Sequence, residues 1–413
     1  MLSVYNQFLY FHGDDMENPY KRLFTTRGTL AFSIAGMIAR MPISMMGIGI
    51  ITMLSQIKES YWLAGGVAAT FTLAMALIAP QISRAVDHFG QSKVLPITTG
   101  ISVIATCLLV LCTYKNAPEW TLFIFAALAG FMPSMPAMIR ARWTHIYRNT
   151  SSLHTAYSLE SVLDEVCFIL GPPISVGLSV TLFPEAGPLM SAILLGIGVF
   201  AFVLQKQTEP AIAHSATKIK GSALKPLTMK ILVFSLIALG VIVGTIDVIS
   251  VAFAKELGKP IAASIVLSTY AVGSCSAGLI FGVIKLKTPL AKQFFIASLA
   301  TAIMTVPLLG VNDVFTLSLT VFIAGVFFAP TMIIAMNLVA NIVPKDKLTE
   351  GLTWMITGLG IGIALGATIA GWCIDVYGIK TAFIVTIMAG LSVLLIAAIN
   401  YHQLENNSIQ KIA

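Results

Sequence analysis

Charge is what this chain has least of. Of its 413 residues only 10% are Asp, Glu, Lys or Arg, where a soluble domain carries about a quarter. With 57% hydrophobic residues and a mean hydropathy of +0.89, the composition excludes a string of soluble domains. Cysteine is sparse too. Cys107, Cys112, Cys167, Cys275 and Cys373 all fall in apolar runs, with neither metal-ligand spacing nor the pattern of a disulfide framework, and read as small hydrophobes. No Gly-rich loop ending in Lys-Ser or Lys-Thr occurs, so ATP-driven transport by this chain alone is not expected. An enzyme would need a nucleophile–base pair or a metal cluster, and a sensor a sizeable soluble output domain; the sequence offers none of these, and no cofactor is expected. Residues 1–28 lack the basic start, apolar core and small-residue site of a signal peptide, and Met16, ahead of Glu17-Asn18-Pro19, is an alternative start.

What the chain has is apolar runs of helical length. A helix needs ~17–25 mostly apolar residues to cross the hydrocarbon layer. On that rule the sequence predicts an all-α integral membrane protein with twelve transmembrane helices, at about 30–54, 62–83, 94–114, 119–141, 159–182, 187–204, 229–253, 262–284, 292–309, 314–338, 351–374 and 380–399. An even count puts both termini on one side. On that side lie nineteen of the 25 Lys and Arg residues and on the other five, with Arg40 inside a span. The asymmetry predicts both termini in the cytoplasm, here of a bacterial cell. The formal charge of +7 then reflects basic cytoplasmic loops, and a nucleic-acid partner is not expected.

The polar, basic stretch 205–228 divides six spans from six. The predicted organisation is a cytoplasmic segment 1–29, a bundle 30–204, the linker 205–228, a bundle 229–400 and a tail 401–413, acting as a monomer in the lipid bilayer. The halves read as copies. A shift of 195 positions lays Ala129-Gly130 on Ala324-Gly325, Ile139 on Ile334, Leu153 on Leu348, Leu170-Gly171 on Leu365-Gly366 and Ile174 on Ile369. Parallel repeats of this size point to a transporter whose two pseudo-symmetric six-helix bundles rock about a central site.

Two short stretches resemble the major facilitator superfamily. Ser83-Arg84-Ala85-Val86-Asp87-His88-Phe89-Gly90-Gln91-Ser92-Lys93 is similar to its loop signature G-x-L-A-D-R-x-G-R-K. Asp87 and Gly90 match; His88, Gln91 and Ser92 replace its basic residues, and Ser83 its first Gly. Gly171-Pro172-Pro173-Ile174-Ser175-Val176-Gly177 resembles the fifth-helix motif G-P-x-x-G-G, with Val176 in place of one Gly. The family's fourth-helix Arg motif is not recognisable. The resemblance implies alternating access, a gating loop at Asp87, His88 and Gly90, and exchange of a small-molecule substrate for protons.

Ionisable groups inside the spans are the candidate transport residues, since such groups are costly there and mark pathways. Arg40 lies ten residues into the first span beside Pro42 and Ser44, where it would hold an anion or tune an acid; a fixed structural ion pair is the alternative. Asp247, after Gly240, Gly244 and Thr245, is its counterpart in the seventh span, and whether the two pair is open. Glu160 and Asp164 share a helix face, with Glu165 turned from it and Arg140 and Arg142 ending the preceding helix on the same side. They form either a proton pathway or a charge cluster locking two helices. Arg142 falls on Asn337 in the repeat, so that charge has no copy in the second half. The six histidines read as solvated or, at His88, as part of the gating loop. The eighteen Met residues, Met41, Met45 and Met46 among them, read as packing and not as copper ligands. Asp375-Val376-Tyr377-Gly378 reads as a turn. The favoured reading is proton-coupled export of a small organic compound. The alternative is an uptake symporter or facilitator for a small anionic metabolite.

Overall fold

The computed structural model describes residues 19–147, 150, 152–210, 224, 226–283, 288–343, 348–401 and 403, and among them the regular structure is helical throughout. Met16, much of the linker and nearly all of the tail lie outside the described residues. In chain order the helices are α1 (Pro19–Leu23), α2 (Thr29–Arg40), α3 (Pro42–Ile57), α4 (Tyr61–Phe89), α5 (Gln91–Tyr114), α6 (Glu119–Ala129), α7 (Met135–Tyr147), α8 (Ser152–Thr181), α9 (Ala186–Val203), α10 (Leu227–Glu256), α11 (Ala262–Val283), α12 (Leu290–Thr305), α13 (Val314–Ile342), α14 (Leu348–Tyr377) and α15 (Ile379–Ile399).

Ten stretches among the described residues are long and apolar enough to cross a membrane, α2 with α3 counting as one. The expected fourth crossing, 119–141, is broken instead. Helix α6 ends at Ala129, residues 131–134 are irregular, and α7 begins at Met135. Pro133 has no N–H to donate, and it biases the residue before it out of the helical region. The eighth expected crossing is represented by the shorter apolar stretch Ala262–Gly278.

The predicted loop 83–93 is also not a loop. Helix α4 continues through Phe89, a single residue turns the chain, and α5 starts at Gln91. That residue is Gly90, with φ +91, a conformation open to glycine and strained for others. Asp87 and His88 are exposed on the last turn of α4.

Glycine also lets helices touch backbone to backbone. Gly240 and Gly244 of α10 face the carbonyls of Leu359 and Ile363 on α14, while Gly362 and Gly366 of α14 face those of Ile237 and Val241. This is small-residue packing of the kind that joins helices in lipid, where no hydrophobic force does so. The same device joins the halves of the chain, with Gly65 of α4 against the Ala367 carbonyl and Gly371 of α14 against that of Tyr61. At that end of the molecule the Asp375 carboxylate accepts hydrogen bonds from the backbone N–H groups of Tyr61 (3.0 Å) and Trp62 (2.7 Å) and from the Ser60 hydroxyl (3.0 Å). It thus satisfies free donors at the start of α4, a role the expected turn did not suggest. Lys255 donates to the Ser55 carbonyl (2.8 Å) nearby.

Candidate functional site

Arg40 closes α2 one residue before the break at Met41, and Pro42 opens α3. The side chain is buried, 1% exposed, so its five donors must be met by protein. Its Nη2 pairs with the Glu160 carboxylate. Nη1 donates to Asp164 Oδ1 (2.8 Å) and the Glu160 carbonyl (3.2 Å), and Nε to the Gly36 carbonyl (3.4 Å). Glu160 is fully buried and takes a second bond from Trp143 Nε1 (2.7 Å). Asp164 remains 24% exposed, and its other oxygen accepts from Arg140 Nη2 (2.6 Å). The carboxylate of Asp164 therefore bridges two guanidinium groups, one from α2 and one from α7.

The expected cluster of helices around Glu160, Asp164 and Arg140 is present, and Arg40 is its centre. Asp247 is not its partner. Half-buried on α10, Asp247 makes no ion pair among the described residues, and neither does half-buried Glu165 on α8. Tyr270 on α11 carries a buried hydroxyl with no hydrogen-bond partner among the described residues.

Arg142 stands apart from the acids. It is fully buried, with Nε donating to Gln91 Oε1 and Nη1 to the Gln205 carbonyl and Thr208 Oγ1, each at 2.8 Å. Its guanidinium lies 3.7 Å from the Phe202 ring centroid, within cation–π range. Burial pulls it down to about 10, against the pull of Glu209, so it stays charged at neutral pH. Gln91 in turn donates to the Met138 carbonyl (3.0 Å), which ties the turn at Gly90 to α7 and to the start of the linker. Asn337, the counterpart of Arg142 in the repeat, is exposed on α13.

The Gly-Pro stretch explains itself physically. Helix α8 runs unbroken through Pro172 and Pro173. A proline frees the carbonyl four residues earlier, and the one freed by Pro173, on Ile169, accepts from Ser268 Oγ of α11 (2.9 Å). A carbonyl lost to the helix thus becomes a bond between the halves. A Cβ on Gly171 would strike Ser44 Oγ, whereas one on Gly177 would meet nothing within 4 Å. Ser44, Ser175, Gln91, Trp143 and Ser268 were not expected as site residues. Their partners lie far along the chain, and a lone Ser, Gln or Trp carries no signal of its own. Among the described residues no three His, Cys, Asp or Glu side chains converge on one point.

The Major Facilitator Superfamily profile matches residues 32–258 and again 231–411. No curated protein matches the chain by sequence. Solved structures do match. A mutant of the nucleoside transporter NupG aligns with a TM-score of 0.72 at 16% identity, over 91% of this chain and 99% of its own. A bacterial homolog of the human lysosomal transporter Spinster, inward-facing and occupied, gives 0.65 at 13%, over 93% and 97%. A bacterial homologue of the iron transporter ferroportin, inward-facing, gives 0.68 at 13%, over 90% and 99%. Identities this low establish a shared fold.

Proposed function

This chain belongs to the major facilitator superfamily, and we propose that it is a secondary transporter exporting a small organic compound in exchange for protons. In this reading the helices make twelve crossings in two six-helix bundles, and both termini lie in the cytoplasm of a bacterial cell. The observation that carries it is Asp164. It is held by two arginines yet, at 24% exposure, remains open to exchange, while Glu160 beside it is sealed. A proton on Asp164 removes the charge shared by Arg40 and Arg140 and frees the more exposed Arg140. Five residues on, the same helix bonds to α11 through Ile169 and Ser268, so a change at the acid is passed to the contact between halves. Glu165 and Asp247, carboxylates without ion pairs among the described residues, are the further proton or substrate groups.

With the termini inside, the end joined by Asp375 is the outer one, and the two halves are joined there. Two of the solved structures that share the fold are inward-facing. Asp87-His88-Phe89-Gly90 repeats the form of Asp375-Val376-Tyr377-Gly378, each ending in a positive-φ glycine. Helices α4 and α14 pack antiparallel, so in the opposite state Asp87 would reach the start of α14 as Asp375 now reaches the start of α4. In this reading Arg142 serves the pathway by fixing the Gly90 turn through Gln91. In the uptake alternative Arg40 would clamp an anionic metabolite. Its fork is already filled by Glu160, Asp164 and Gly36, which favours export. Vesicles decide the direction. Everted vesicles expressing the chain should accumulate substrate when their lumen is acid, because protons leave as substrate enters; accumulation driven instead by an alkaline lumen means proton symport, which in the cell is uptake.

A further inference from the structure

A second small cluster lies on the other side of Arg40. Met37, Met41 and Met45 are spaced four apart across the break between α2 and α3. Met41, Met45 and Cys167 form a buried group separate from the main core, with Met37, Met190 and Leu194 packed on it. Four helices, α2, α3, α8 and α9, with the break at Met41, thus contribute four thioethers and a thiol to one small group. The sequence suggested ordinary packing for these methionines because Cys167, 130 positions from Met37, could not be placed beside them.

The helices are held for close approach at this point. Ser44 Oγ donates to the Cys167 carbonyl (2.7 Å) and Ser175 Oγ to the Met45 carbonyl (2.9 Å). The missing side chain of Gly171 leaves room for Ser44 and Met45. Cys167 Sγ sits 3.7 Å from Met37 Sδ. Two sulfurs on one ion, with bonds of ~2.3 Å at a tetrahedral angle, stand ~3.8 Å apart. Thiolate and thioether donors without carboxylate or imidazole suit soft monovalent ions. We propose that Cys167, Met37, Met41 and Met190 form a binding site for Cu(I) or its analogue Ag(I), with Met45 as its floor.

The charge balance permits burial. As the metal–sulfur bond forms, the Cys167 thiol gives its proton to buffer and the ion stays in the +1 state. Thiolate and ion together are neutral, so no net charge is added beside Arg40, Glu160 and Asp164. Met37 and Met190 are only half-buried, which gives the ion a way in.

The test uses the purified full-length chain in detergent, titrated anaerobically with Cu(I) against a chromophoric Cu(I) chelator. One ion per chain should be taken from the chelator, with release of about one proton and an X-ray absorption signature of sulfur ligands alone. Cys167→Ser should weaken binding at least a hundredfold and Met37→Leu about tenfold, with Cys112→Ser unchanged. Thermal midpoints near wild type confirm that the variants are folded; if Cys167→Ser is not, Cys167→Ala serves. No uptake by the wild type, or equal uptake by the Cys167 variant, overturns the site and leaves the group as packing. Either result leaves the transport reading untouched.

Discussion

Arg40 joins Glu160 and Asp164 with almost no water around it, so its loss leaves the sealed Glu160 carboxylate without a cation, while Asp164 keeps Arg140. Arg40→Gln should lower stability by ~3–5 kcal/mol, as for other broken buried pairs. Arg40→Lys should rescue little of it, because an ammonium lacks the planar fork that serves two carboxylates and two carbonyls. Thermal unfolding in detergent measures both, and a near-wild-type midpoint for Arg40→Gln would refute the network. A second pair of variants tests the glycines. Gly171→Ala should destabilise by ~1–3 kcal/mol through its collision with Ser44. Gly177→Ala, facing open space, should stabilise by ~0.5–1 kcal/mol through helix propensity; equal midpoints for the two would contradict the packing described. That Arg40 needed acidic partners was legible in the sequence, since a cation amid apolar residues has few other fates. That the partners are 120 and 124 positions away was not, because sequence order holds no record of which helices meet. Asp247 showed the same limit: its ionisable character was plain and its distance from Arg40 was not.

At the scale of helices, hydrophobic runs placed the ten long apolar stretches among the described residues, and the misses have local causes. The stretch 83–93 looked like a loop because it is polar, but a helix can leave the apolar layer without ending, and one glycine suffices to turn it. The expected fourth crossing looked continuous because Phe131 and Met132 are as apolar as helix residues, although Gly130 and Pro133 stop the ladder. The Gly-Pro motif leaves the path of α8 unbroken, and its effect falls on the Ile169 carbonyl. Ser268→Ala should leave that Ile169 carbonyl unsatisfied and lower the thermal midpoint by the equivalent of ~1–3 kcal/mol. Combining it with Pro173→Ala, which restores the helix donor, should recover most of the loss. Additive losses in the double variant would mean that the Ser268 bond does not serve the freed carbonyl.

For the whole molecule, the internal repeat and the central linker made two halves legible, but which end is closed is a property of three-dimensional contacts. In the proposed cycle the Asp375 clasp is what holds that end shut. Asp375→Ala should therefore widen the distance distribution between spin labels placed near Trp62 and Tyr377, and Asp87→Ala should not; unchanged distances in the first variant would remove the clasp from the account. The sealed Glu160 and the accessible Asp164 together make the central claim, that the buried charges move protons as well as holding helices together. Its most direct test is flux in proteoliposomes with an imposed proton gradient, using a compound first found by ligand-induced thermal stabilisation. Wild type should accumulate that compound against its gradient and lose accumulation when a protonophore is added, while Asp164→Asn stays folded and only equilibrates it. Accumulation indifferent to the protonophore, or equal in Asp164→Asn and wild type, would contradict the claim.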